Sequence, residues 1–114
     1  MLDVQLESNR YMAQFFRQFK LYARAVKLNI ANELPEIIRH RPHKIKAAYH
    51  LKRAERVIYE YKIVLSPEMN FRAAYIQDKH HITVFFISDT LIKHEFVKQL
   101  AATDLVDAAN GLAG

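Results

Sequence analysis

Cysteine is absent from the 114 residues, which excludes a disulfide framework and any thiolate metal site and points to a reducing, cytoplasmic setting. Both glycines fall within the last four residues, so P-loop and dinucleotide-binding fingerprints, which need a Gly-rich loop, are excluded. No apolar run approaches the roughly 18 residues that a membrane helix needs, and no signal-peptide pattern opens the chain. A soluble protein without a membrane partner is therefore expected. Carboxylates at the spacing of a glycosidase pair are missing, as is a serine nucleophile in a recognisable setting. His40 and His43, and the His80-His81 pair, lack a matching carboxylate set, so neither a metal nor another cofactor is expected.

Positive charge is what the chain does have, and it is unevenly placed. Arg39, Arg41, Lys44, Lys46, Lys52, Arg53 and Arg56 face only Glu55 within residues 39–56. That stretch carries +6 of a net +5, leaving −1 for the other 96 residues. A solvated loop is the plain reading. Concentrating the whole excess in 18 residues favours a polyanion-facing surface for nucleic acid or the ribosome, with an acidic protein partner as the rival reading.

The chain then reads as an α+β fold in a single domain, residues 1–114, with no repeat or linker. Leu2–Glu7 alternates apolar and polar residues, as a half-buried strand does. Ser8 offers an N-cap hydroxyl. Met12, Phe15, Phe16, Phe19, Tyr22, Val26 and Ile30 follow on one helical stripe that runs to Leu34, where Pro35 is expected to end it. One helix or two with a turn near Phe19–Leu21 both fit this stretch. The aromatics on the stripe are expected to pack against a sheet. Arg39–His43 reads as a basic loop, and Lys44–Arg56 as either a basic helix or a long loop, the balance lying toward partial helix.

Three strands of an antiparallel meander are expected next, over Tyr59–Leu65, Asn70–Gln77 and Ile82–Ser88. Pro67 marks the first turn, and Asp78-Lys79-His80 forms a short polar second one. Alternation puts Lys62 on the face opposite Tyr59, Tyr61 and Ile63, and Arg72 on the face opposite Phe71 and Tyr75. Asp89 or Thr90 is placed to cap a C-terminal helix with Ile92, Phe96 and Leu100 inward and Asn110-Gly111 as its stop. The whole is a small antiparallel sheet, a three-strand meander plus an N-terminal strand, packed against an N-terminal helical region.

From Tyr61 to about Leu100 the pattern YKIVL, turn, NFRAAYIQ, turn, ITVFFIS and charged helix resembles the RelE/ParE superfamily of bacterial toxins. Residues 2–34 fit that family's opening strand and helical hairpin in order. The resemblance implies one of two activities: a ribosome-dependent mRNA endoribonuclease, as in RelE-like members, or a DNA gyrase poison without nuclease activity, as in ParE-like members. A basic interaction module that keeps the fold without the chemistry is a third reading. The resemblance also implies a cognate antitoxin as partner, with the ribosome and mRNA, or gyrase, as target. Lys62 matches a catalytic lysine, and Arg72 matches the arginine that follows the aromatic of the next strand. Tyr75 matches a tyrosine that more often packs. Val64 stands where many RelE-like enzymes carry a second lysine, and Lys93 and His94 occupy the place of a further basic or aromatic residue.

The chemistry asks for the same residue types. Cleaving RNA through its own 2′-OH needs a base, cations over the phosphorane and an acid for the departing 5′-oxygen. Arg72 suits the phosphoryl oxygens, because a guanidinium binds two of them at once. Lys62 suits the base if burial and like charge act on it. His94 is the histidine best suited to the acid. Beside these roles stand plainer ones: Lys62 snorkelling from a strand edge, and Arg72 bridging to Glu60 across the hairpin.

Overall fold

A computed structural model describes residues 1–108. Five strands form one sheet: β1 (Asp3–Leu6), β2 (Lys46–Arg53), β3 (Arg56–Val64), β4 (Asn70–Asp78) and β5 (His81–Ser88). Three α-helices accompany them among the described residues: α1 (Arg10–Gln18), α2 (Ala23–His40) and α3 (Lys93–Ala101). The sheet order is β1-β5-β4-β3-β2. The α+β expectation and its three meander strands hold, with two changes to the sheet. A fourth meander strand, β2, is added, and β1 joins β5 in parallel, Val4 opposite Ile82 and Leu6 opposite Val84. The sheet is therefore mixed rather than antiparallel: the two helices return the chain to β2 in the direction opposite to β1, and the three reversals from β2 to β5 bring β5 back parallel to it.

Asn9, not Ser8, caps α1: its side-chain oxygen accepts from the Met12 N–H at 2.9 Å. Its amide also donates to Phe85 O at 3.0 Å, so the cap ties the helix to the sheet. The helical region is two helices, separated by a 3-10 turn over Lys20–Tyr22. No glycine or proline makes that break. Packing does: Phe71 of β4 sits 5.1 Å from the Phe15 ring, 5.0 Å from Phe19 and 6.2 Å from Tyr22. The aromatic stripe is core, as expected.

Pro35 does not end its helix. It lies inside α2, and Leu34 and Ile37 on either side of it are both buried. A proline in a helix interior costs about 3 kcal/mol. Burying two large aliphatic side chains returns about 1.5–3 kcal/mol each. The carbonyl that loses its donor belongs to Ala31, which is exposed and open to water. Packing wins.

Lys44–Arg56 is neither helix nor long loop but mostly β2 and its turn into β3. The two-residue turn, Ala54-Glu55, takes positive φ at both positions, 52° and 63°. This is the backbone of a tight hairpin that ordinarily recruits Asn-Gly. Here the Asp107 carboxylate supplies the missing stability, accepting from the N–H of Ala54 and of Glu55 at 2.8 Å each. Tyr49 adds a third left-handed residue (φ 50°), within the register shift between Ala47 and Lys52.

α1 and α2 cover one face of the sheet, where Met12, Val26, Ile30, Leu34, Tyr61, Ile63, Phe71 and Tyr75 pack. The other face is covered by α3 and the segment after it, through Ala48, Ile58, Ala74, Phe86, Phe96, Val97 and Leu100. α3 begins later than Asp89 or Thr90. Its cap position is Ile92, with no side-chain cap bond, and Ile92 is exposed while Val97 takes the inward place. α3 ends at Ala101, and the expected Asn110-Gly111 stop lies outside the described residues. No helix among the described residues is long and apolar enough to cross a membrane.

Candidate functional site: a cation cluster on the α3 face

Glu60, Lys62 and Val64 alternate onto the α3 face of β3, and Arg72 joins them from β4, directly opposite Lys62 in the ladder. Glu60 is fully buried. A carboxylate out of water must be paired. Arg72 supplies the pair through Nη1 to Glu60 Oε1. The rest of its guanidinium is fixed as well: Nε and Nη2 both donate to Leu91 O, at 3.1 and 2.8 Å. From the first turn of α3, Lys93 brings Nζ to 3.4 Å from Glu60 Oε2, an ion-pair distance without hydrogen-bond alignment, so Oε2 accepts no hydrogen bond from the protein. The Lys93 ammonium also lies 4.9 Å from the centroid of the exposed Tyr49 ring. Lys46 of β2 stands opposite Glu60 in register.

One buried carboxylate is thus ringed by more positive charge than it neutralises. Arg72 and Lys93 are held on it, while Lys62 next along the strand is exposed and has no acidic partner among the described residues. Such a site can hold an anion: two cations fixed in geometry and a third free to reach. The sequence-predicted residues Lys62, Arg72 and Lys93 come together here. His94 does not: it is exposed on α3 and makes no polar contact among the described residues. Lys62 is exposed, so the burial on which its expected role as base rested is not found. Tyr75 is buried on the opposite face, where desolvation and the neighbouring Tyr59 push its phenol well above the usual range, and it packs rather than reacts.

The basic stretch 39–56 does not remain one patch. Arg39 pairs with Glu36 at 3.6 Å and Arg41 with Glu33 at 3.5 Å, both acids of α2. Arg56 pairs with Asp78 at 3.2 Å. Arg53 grips Glu7 through two hydrogen bonds of 2.9 and 2.8 Å and lies 4.5 Å from the Phe85 ring centroid. Burial raises the Glu7 carboxyl, but the hydrogen bonds from Arg53 and Asn9 and the charge of Arg53 outweigh it, leaving the group below its ordinary range. Lys44, Lys46 and Lys52 are exposed and have no acidic partner among the described residues. Arg53 is part-buried and structural, Arg39, Arg41 and Arg56 sit in exposed surface pairs, and the three lysines face solvent.

Sequence reasoning named Glu60 only as a bridge to Arg72 and did not see it as the hub. The signal was present: an acid between two strand tyrosines on the Lys62 face needs a partner as much as the lysine needs a reason. No group of three or more histidine or acidic side chains capable of holding a metal occurs among the described residues. No family model, curated protein or solved structure matches the chain significantly.

Proposed function

We propose that the protein is a RelE-like toxin: a small basic endoribonuclease that cuts ribosome-bound mRNA and is neutralised by a cognate antitoxin. The observation that carries the reading is the convergence of Lys62, Arg72 and Lys93 around Glu60 on a sheet face that leaves Lys62 exposed. The strand pattern from Tyr61 to Leu100 and the order of strand, two helices, strands and helix support it further.

In the proposed reaction the 2′-oxygen gives its proton to solvent water and bonds to the adjacent phosphorus, and the bond from phosphorus to the 5′-oxygen breaks. Solvent water supplies the proton to the leaving oxygen, because His94 lies outside the cluster. The products are a 2′,3′-cyclic phosphate and a 5′-hydroxyl end. Arg72 and Lys93 orient and neutralise the phosphoryl oxygens, and Lys62 reaches the same phosphate from its exposed position. Each such group contributes about 10²–10⁴-fold to rate.

Induced expression tests this. Rapid translation arrest with mRNA cuts is expected; normal growth overturns the toxin reading. Arrest without cuts, accompanied by supercoiling defects, supports the gyrase-directed alternative instead. A specific observation favours a second reading, a module that binds nucleic acid without cutting it. The Arg72 guanidinium is already engaged by Glu60 and Leu91, and Val64 stands exposed where a second lysine would serve. RNA binding without cyclic-phosphate product would establish that reading.

A further inference from the structure

β1 pairs with β5 only as far as Leu6 opposite Val84. Beyond that point the last four residues of β5, Phe85–Ser88, have no strand on that side, and α1 passes instead. Between α1, the end of β5 and α3 a cleft of about 360 Å³ opens. Small-molecule sites span about 300–1,000 Å³, so this one is sized for a single ring system.

The walls are of two kinds. Phe86 and Tyr11 are aromatic, in edge contact with centroids 6.2 Å apart, and the Tyr11 hydroxyl accepts from Arg10 Nη2 at 2.9 Å. Gln14, Gln18 and Asp89 line the cleft with exposed side chains that make no hydrogen bond within the described protein. Gln99 behind them is committed, accepting from Ser88 Oγ at 2.8 Å and donating to Thr90 Oγ1 at 2.7 Å. The Gln99 amide is therefore satisfied, while the rim offers two amides and a carboxylate without partners among the described residues.

The cleft also lies at the end of the cation row. Lys62 faces Arg72, and Arg72 faces Ser88, so a single line across β3, β4 and β5 runs from the exposed lysine to the cleft wall. Neighbouring strands are about 4.8 Å apart. Two strand spacings, about 10 Å, therefore separate Lys62 from the cleft wall at Ser88.

We infer that the cleft is a nucleobase site, taking a base with an exocyclic amino group. The flat ring lies against Phe86 and Tyr11. Asp89 accepts from the amino group, and the Gln14 and Gln18 amides supply a donor and an acceptor to the ring edge. Uracil, which has no amino group, fits worst. The inference deepens the ribonuclease reading, because it assigns a base subsite beside the phosphate-facing cations.

The test is NMR titration of the full-length protein with adenosine, guanosine, cytidine and uridine, none of which carries a phosphate. At least one amino-bearing nucleoside is expected to shift the side-chain amides of Gln14 and Gln18. Its affinity is expected to exceed that for uridine by about two- to tenfold, the effect of one hydrogen bond. Asp89→Asn and Gln18→Ala, both at exposed positions, are expected to weaken binding by a similar factor while the rest of the spectrum stays in place. Unmoved Gln14 and Gln18 amides at saturating nucleoside overturn the inference, as does equal affinity for uridine or unchanged affinity in Asp89→Asn.

A tetranucleotide arm identifies the source of the base. Tighter binding than the nucleoside, lost in Lys62→Ala, supports the site with RNA as its ligand. Equal binding supports the site with a free nucleoside as its ligand and overturns only the phosphate reading of the cation row.

Discussion

Arg72 donates to Glu60 from the neighbouring strand, and Glu60 has no surface exposed to water. The arginine is thus needed for folding whatever else it does. Removing one partner of a buried ion pair costs about 3–5 kcal/mol, since the other charge is left uncompensated. Arg72→Ala is therefore expected to lower stability by about 3 kcal/mol, toward the low end because Lys93 remains on Glu60. The double variant Arg72→Leu, Glu60→Leu is expected to recover most of that loss. Urea denaturation of both variants checks the relationship, and equal destabilisation by single and double variants would refute it.

Lys62 is the opposite case. It is exposed and unpaired among the described residues, so Lys62→Ala is expected to change stability by less than about 0.5 kcal/mol while weakening RNA binding or cleavage. Paired melting and RNA-binding measurements separate the two effects. A loss of function that merely tracks a loss of fold would count against a phosphate-facing role.

Asp107 holds a turn whose residues are poorly suited to it. Its carboxylate caps the N–H groups of Ala54 and Glu55, both in the left-handed region. Asp107→Ala is expected to cost about 1–3 kcal/mol, the penalty for leaving such donors without their acceptor. Placing Asn at 54 and Gly at 55 is expected to relieve most of it, because those residues take the turn backbone unaided. Thermal melts of the single and combined variants provide the check.

Glu7 makes part of the stability pH-dependent. Its folded-state carboxyl sits below the ordinary value of 4.5, so its contribution is fully present above that value and is lost as pH falls through the folded value. The stability gap between the wild type and Glu7→Gln is therefore expected to be widest near neutrality and to close below pH 4.5. Denaturant midpoints measured for both proteins between neutral and acid pH test the sign. A gap that widens on acidification would reverse the account.

Much of this architecture was legible, and the misses have physical causes. The strands β3 to β5 announced themselves through the alternation of Tyr59, Tyr61 and Ile63 and the apolar run from Ile82 to Ile87. β2 did not, because Tyr49 breaks its alternation and its turn carries Ala54-Glu55, stabilised by a carboxylate some fifty residues away. Pro35 misled because local propensity was read without the burial of Leu34 and Ile37. For the site, period-two alternation put Lys62 and Arg72 each on the face of its strand away from the tyrosines, and the register of β3 with β4 sets them opposite each other. Alternation said nothing of α3 carrying Lys93 onto Glu60, nor of Glu7, Glu33, Glu36 and Asp78 absorbing the arginines of the basic stretch. Charge counted along a chain misses partners that the fold brings from elsewhere.

The most direct measurement incubates the purified protein with mRNA on programmed ribosomes, maps the new ends and identifies their chemistry. The proposed function predicts cuts that leave 2′,3′-cyclic phosphate and 5′-hydroxyl ends, slowed about 10²-fold or more in Lys62→Ala at unchanged stability. Intact mRNA, or cutting undiminished in that variant, would contradict it.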